Sequence, residues 1–165
     1  MRSAIRSNLI LSALLALLLL AQPAPPGSAL EQFFVGTVEG RGTVNIILSG
    51  RHAVRDRTSG RRDREGALIL DQVVEEEGKP ARRRTWRLAR AGGSRVTGTI
   101  SDARGPVAGE FDGNVLHLRY RMAEGPSVDQ RITLAPNGRT ATNRMTFRRF
   151  GLRVATVETV IRKVE

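Results

Sequence analysis

The stretch GPVAGEFDGNVLHLRYRM, residues 105–122, decides the fold. In its second half Leu116, Leu118, Tyr120 and Met122 fall on one face, and His117, Arg119 and Arg121 on the other. That period of two belongs to a strand with one buried and one wet face. Its first half carries glycines at 105, 109 and 113, which raises the question of a phosphate-cradling loop. A P-loop needs a Gly-Lys-Ser/Thr tail to reach phosphate and metal, and none follows. A dinucleotide-binding turn needs G-x-G-x-x-G before a helix, whereas here the spacing is four and a strand follows. A membrane helix face of small residues is excluded by Glu110 and Asp112. Asp112-Gly113 is hairpin chemistry, because glycine accepts positive φ.

Outward from this hairpin the same pattern repeats. Val96 and Ile100 oppose Arg95, Thr97 and Thr99. Val44, Ile46 and Leu48 share a face over Thr43–Leu48, and Val128, Ile132 and Leu134 alternate with polar neighbours. EEEGKP (75–80), RAGG (90–93), AEGP (123–126) and APNG (135–138) punctuate these runs about every dozen residues. No stretch keeps an apolar 3.6-residue period for three turns without glycine. Eight to ten consecutive antiparallel strands imply a meander, and closure removes its edges. The expectation is an all-β, up-and-down, calycin- or lipocalin-like barrel, with a strongly curved open sheet as the alternative. The last segment, FGLRVATVETVIRKV, reads as the closing strand, or as a helix against the barrel mouth.

The first 29 residues read as a signal peptide. Arg2 and Arg6 precede an apolar run from Leu9 to Ala21, too short for a comfortable membrane span, and Gly27-Ser28-Ala29 supplies small residues for cleavage. An uncleaved anchor is the alternative. Residues 30–165 then form a single barrel domain, expected in the periplasm. Cysteine is absent, which excludes disulfides, a thiol nucleophile and a lipidated N-terminal cysteine. Without Arg2 and Arg6, 25 basic residues face 16 acids, for a formal charge of +9, and Lys79 and Lys163 are the only lysines. Arginine grips phosphate and carboxylate bidentately. Either an acidic envelope partner or simple solvation accounts for the excess.

Candidate chemistry is sparse. His52 and His117 both sit among basic residues, and no nucleophile elbow accompanies them. No closely spaced histidine–carboxylate cluster suggests a metal site, and Glu75-Glu76-Glu77 reads as a solvated hairpin tip. No catalytic residue, metal or cofactor is expected, and no nucleic acid. Arg84, Trp86 and Leu88 share a face, which sets a guanidinium against the only indole. Trp86 is then either a core plug or, with Tyr120 and Phe147, part of an apolar ligand wall whose counter-charge is Arg84. Gln72, Gln130 and Asn143 fall at inward positions, where buried amides need partners. A ligand or water would supply them, unless a bulge turns them outward. RHAVRDRTSGRRDR (51–64) carries Arg51, Arg55, Arg57, Arg61, Arg62 and Arg64. It reads as a flexible hairpin, either merely solvated or resting on an anionic membrane.

FFVG (33–36), RTWRL (84–88), VTGTISDARGPVAG (96–109), GNVLHLRY (113–120), NRMTFRRFG (143–151) and VIRK (160–163), in this order, resemble the domain-of-unknown-function family 3833 of proteobacterial envelope proteins. The resemblance implies an exported, β-rich protein, often a lipoprotein, with no assigned activity. It singles out Arg84 and Trp86, Gly98 with Asp102, Gly113 with Asn114, Tyr120, Asn143, and Phe150 with Gly151. The lipidated cysteine is missing here, and the family's Asp-Asp-Trp-Met stretch stands as VDQRITL (128–134), matching only at Asp129. The expected function is a non-enzymatic periplasmic barrel that binds a lipid-like or amphipathic anion through Arg84, Trp86, Tyr120, Gln130, Asn143 and Phe147. The alternative is an envelope protein that contacts anionic membrane or cell wall through its arginine-rich face.

Overall fold

The structure, a computed structural model, describes residues 28–164. The expected leader lies outside these residues, except that Ser28 and Ala29 open a short helix, α1 (Ala29–Phe34). Ten strands follow: β1 (Gly36–Ile46), β2 (Gly50–Arg62), β3 (Leu68–Glu76), β4 (Arg82–Arg90), β5 (Arg95–Ile100), β6 (Ala103–Asp112), β7 (Val115–Met122), β8 (Ser127–Leu134), β9 (Thr140–Arg149) and β10 (Leu152–Lys163). Each pairs antiparallel with its sequence neighbours, and β10 returns to β1 to close the barrel. The terminal segment is therefore the closing strand, with Val44 opposite Val157 and Gly40 opposite Ile161.

The period-2 pattern sets the interior. On β7, Leu116, Leu118 and Tyr120 are buried, while Arg119 and Arg121 face solvent. Residues 105–107 interrupt the β6–β7 ladder: pairing jumps from Arg104–Arg121 to Ala108–Arg119. Gly105 has φ 73°, and Pro106 has no N–H to donate, so the ladder bulges there.

Helix α1 closes one end. Six residues are too few to stand alone, so tertiary packing holds them. Leu30, Phe33 and Phe34 are buried among strand residues such as Leu68, Leu88 and Ile161, each contributing about 1.5–3 kcal/mol of burial. Ser28 and Glu31 form a capping box, with Ser28 N donating to Glu31 Oε2 at 2.6 Å and Glu31 N to Ser28 Oγ at 3.3 Å. Arg90 grips Glu31 with two bonds of 3.1 and 3.0 Å, and Lys163 Nζ donates to the carbonyls of Phe33, at 3.1 Å, and Val35. Gly60 makes this approach possible, since a Cβ there would sit 1.8 Å from the Phe34 carbonyl oxygen.

Three local expectations are corrected. β1 ends at Ile46, so Leu48 lies in the β1–β2 turn, 96% exposed, instead of sharing a buried face. Residues 51–62 are not a flexible hairpin but most of strand β2, held on both sides by β1 and β3. Glu76 is not a solvated tip: it is buried at the end of β3, 2.6 Å from Lys79 Nζ and 3.9 Å from Arg82 Nη2.

Candidate functional site

Midway along the barrel, inward polar side chains form two hydrogen-bonded relays. The first crosses β4, β3 and β2. Gln72 Oε1 accepts from Arg84 Nε at 2.8 Å and from Trp86 Nε1 at 3.2 Å. Gln72 Nε2 then donates to Asp56 Oδ2 at 2.9 Å, and Thr58 Oγ1 donates to the same oxygen at 3.1 Å. The second relay crosses β7 to β10. Tyr120 OH donates to Gln130 Oε1 at 3.1 Å, Gln130 Nε2 to Asn143 Oδ1 at 3.0 Å, and Asn143 Nδ2 to Thr159 Oγ1 at 3.2 Å. The rings of Trp86 and Tyr120 meet edge to face, 5.5 Å apart, and join the relays across the interior.

Gln72, Gln130 and Asn143 thus face inward as the alternation requires, but their partners are neighbouring side chains: Asp56, Arg84 and Trp86 for Gln72, and Tyr120, Thr159 and each other for Gln130 and Asn143. Alternation makes this inevitable: the register places Gln72 between Thr58 and Arg84, and Asn143 beside Thr159. Burial pushes the Tyr120 phenol well above its ordinary value, against the pull of the Arg84 charge. Tyr120 therefore stays a neutral donor.

This belt divides the interior. Toward α1 lies a small apolar space of about 40 Å³, bordered by Trp86, Phe34, Leu70 and Leu118. Toward the opposite, open end lies a cavity of about 190 Å³. Its walls are apolar, including Val44, Val74, Met145, Phe147 and Val157, and Arg84, Asp56, Gln130 and Asn143 form its floor. Glu76 and Arg82 stand at its mouth. About 150 Å³ is enough to hold a benzene-sized guest.

Arg84 is the cation at the floor, and Gln72 bridges it to the Asp56 carboxylate there. Its guanidinium lies 5.4 Å from the Trp86 ring centroid, so the expected indole contact forms. Its Nε is committed to Gln72, while Nη1 has the Asp102 carboxylate 3.7 Å away, beyond hydrogen-bond reach. Asp102 Oδ1 is buried without a hydrogen-bond partner among the described residues. A free guanidinium edge and an unpaired acceptor therefore sit side by side.

Of the residues expected to line a ligand site, Arg84, Gln130, Asn143 and Phe147 border the larger cavity. Trp86 lies beneath the belt, and Tyr120 supports the belt without bordering either space. Asp56, Thr58 and Thr159 belong to the belt yet escaped the sequence reading. Asp56 sits in the arginine-rich run and reads there as a surface counter-charge. Only the inward parity shared by residues 54, 56, 58 and 60 places it inside.

The six arginines expected as a surface site separate. Arg55 pairs with Glu75 at 2.6 Å, Arg57 with Glu39 and Arg61 with Asp71, all outside the barrel. Arg62 is half-buried, 3.9 Å from Glu31. Arg51 and Arg64 have no carboxylate within 4.0 Å among the described residues. His117 is on the outer wall, its Nε2 2.9 Å from Asp129, and His52 lies at the rim near Ser49. Neither borders the cavity.

Other folds of this kind are known. The structure of S-type phycobiliprotein lyase CPES from Guillardia theta superposes with a TM-score of 0.65 at 9% identity, covering 82% of this chain and 90% of that one. Rv2717c from M. tuberculosis superposes with a TM-score of 0.64 at 15% identity, covering 86% of this chain and 99% of that one. At such identities the likeness shows the fold alone. No curated protein matches the sequence. The model of the family described as "Protein of unknown function (DUF3833)" matches residues 20–163, and the chain belongs to that family.

Proposed function

We propose that the barrel is a periplasmic carrier or sensor that binds a small amphipathic anion without transforming it. The acidic group meets Arg84 at the cavity floor, and the apolar part lies along Met145, Phe147 and Val157. The supporting observation is the 190 Å³ cavity with apolar walls whose floor presents a guanidinium edge that has no hydrogen-bonded carboxylate. In a site shielded from water such a charge is worth more to an anion than at the surface. The volume suits a single ring or a short alkyl chain, so a longer lipid chain would extend through the mouth. Binding instead of turnover is favoured because both histidines lie outside the cavity.

A second reading, contact with an anionic envelope surface through arginines, draws on Arg51 and Arg64, since Arg55, Arg57 and Arg61 are engaged by carboxylates. Native mass spectrometry of protein isolated from its own cells tests the first reading. An acidic small molecule should travel with it and be lost on Arg84→Gln. A ligand-free mass, together with no saturable uptake of an anionic fluorescent amphiphile, would overturn it.

A further inference from the structure

The open end of the barrel carries its most exposed large apolar side chains. Ile47 and Leu48 in the β1–β2 turn are 63% and 96% exposed, and Phe150 and Leu152 in the β9–β10 turn are 96% and 73% exposed. The two turns are neighbours, because β1 pairs with β10 and Ile47 N donates to Val154 O at 3.1 Å. Four apolar tips therefore form one group beside the cavity mouth, which Ile46 and Phe147 border.

Within these two turns the charge has one sign, while Glu124 of the β7–β8 turn accepts from Arg149 Nη2 through its carbonyl oxygen at 3.2 Å and Glu77 accepts from Ala53 N at 3.1 Å. Segments 47–52 (ILSGRH) and 148–153 (RRFGLR) contain Arg51, Arg148, Arg149 and Arg153 and no acid. None of the four has a carboxylate within 4.0 Å among the described residues, in contrast to Arg55, Arg57 and Arg61. The backbone also holds Phe150 outward under strain. Phe150 has φ 52° and Gly151 φ 79°, the pattern of a type I′ turn, whose first central position favours asparagine, aspartate or glycine. A bulky aromatic ring in left-handed backbone, fully in water, is a costly arrangement that calls for a functional reason.

We propose that this rim docks on an anionic lipid bilayer, with Ile47, Leu48, Phe150 and Leu152 entering the interface and the four arginines meeting lipid phosphates. Apolar tips ringed by cations fit that partner, since arginine side chains both pair with phosphate and lie at the polar–apolar boundary. The docked barrel faces its mouth to the membrane and its α1 end to water. Docking is independent of the ligand reading above, because it requires nothing in the cavity.

Because the chain has no cysteine, single-cysteine variants can be labelled cleanly. Ser49→Cys marks the rim and Ser94→Cys the α1 end, each carrying an environment-sensitive fluorophore. With vesicles of phosphatidylglycerol and phosphatidylcholine, the label at 49 should shift to the blue and resist an aqueous quencher. The label at 94 should do neither. Removing phosphatidylglycerol should abolish the effect. The triple variant Arg51→Gln, Arg148→Gln, Arg153→Gln should weaken partitioning about a hundredfold, near fivefold per cation, and Phe150→Asn about tenfold. No shift at 49, an equal shift on neutral vesicles, or a shift at 94 as large as at 49 would overturn the proposal. The last would report anchoring through the leader, which precedes α1. A shift at 49 without vesicles that grows with protein concentration would also overturn it, in favour of a second copy of the chain on the rim.

Discussion

The two ends of the barrel are built on opposite principles. At the α1 end several charged groups are tied down, though not Arg64: Arg90 holds Glu31, Lys163 caps the helix carbonyls, and Arg87 pairs with Asp63 at 3.1 Å and with Glu65. The large apolar side chains of α1, Leu30, Phe33 and Phe34, are buried. At the open end Arg51, Arg148, Arg149 and Arg153 have no carboxylate within 4.0 Å among the described residues, although Arg82 keeps Glu76 at 3.9 Å; four large apolar side chains stand in water, and a cavity runs down to the belt. Matched groups stabilise; unmatched groups cost stability and await a partner. The difference teaches that one end holds the barrel shut while the other is left open, where the proposed ligand and membrane contacts lie.

Substitutions can break this contrast, and the largest effect belongs at the closed end. Phe34→Ala removes a buried ring from the plug and should cost about 3–5 kcal/mol, read as a lowered denaturant midpoint. In the belt, Gln130→Leu strands the Tyr120 hydroxyl and the Asn143 amide. It should cost about 1–3 kcal/mol for each unsatisfied group, with a double-mutant cycle against Asn143 showing coupling. Ser28→Ala opens the capping box and should cost about 1 kcal/mol. The rim should respond with the opposite sign: Phe150→Asn suits a type I′ turn and should raise stability by about 1 kcal/mol. Thermal melts of these variants side by side test whether the ends differ as described.

Acid should act at the closed end first. Burial raises the Glu31 carboxyl, but the bonds from Arg90 and Ser28 and the nearby charges of Arg90 and Arg62 outweigh it and hold the group below its ordinary value of 4.5. A depressed folded value means that the contribution is complete above the unfolded value and is lost as pH falls through the folded one. Protection of the α1 amides from hydrogen exchange should therefore be lost as the pH falls below the ordinary carboxylate range, ahead of the strands, and Glu31→Gln should remove that pH dependence.

Most of the fold was legible in the sequence because a strand's faces alternate with fixed period, as in residues 114–122, and because Asp112-Gly113 has one favoured use. Helix α1 was not, since six residues cannot display a 3.6-residue period. Its one signal, Ser28 three residues before Glu31 at the start of an apolar run, sat at the expected leader boundary. Arg84 and its contact with Trp86 were legible from parity, whereas Asp56 was hidden by arginines on either side. Several of the family-marked residues lie at or near the belt, whereas Gly113-Asn114 and Phe150-Gly151 turn the chain at opposite ends of the barrel. Arg84 lies near Asp102, Trp86 touches Tyr120, Asn143 completes the belt, and a Cβ at Gly98 would sit 2.0 Å from the Arg87 carbonyl oxygen. Which residues stay unpaired at the rim depended on registers between strands distant in sequence, such as β1 with β10, and no local pattern encodes them.

The proposed ligand site takes an anionic amphiphile at Arg84. Its most direct test is a calorimetric titration of the wild type and Val157→Phe with one short anionic amphiphile, such as hexanoate, backed by melts of both proteins. Val157 borders the cavity above the belt, so the larger ring fills space without touching the arginine. Saturable binding by the wild type that the filled variant loses, with its fold retained, is the predicted result. Equal binding by the two proteins, or none by either, would contradict it.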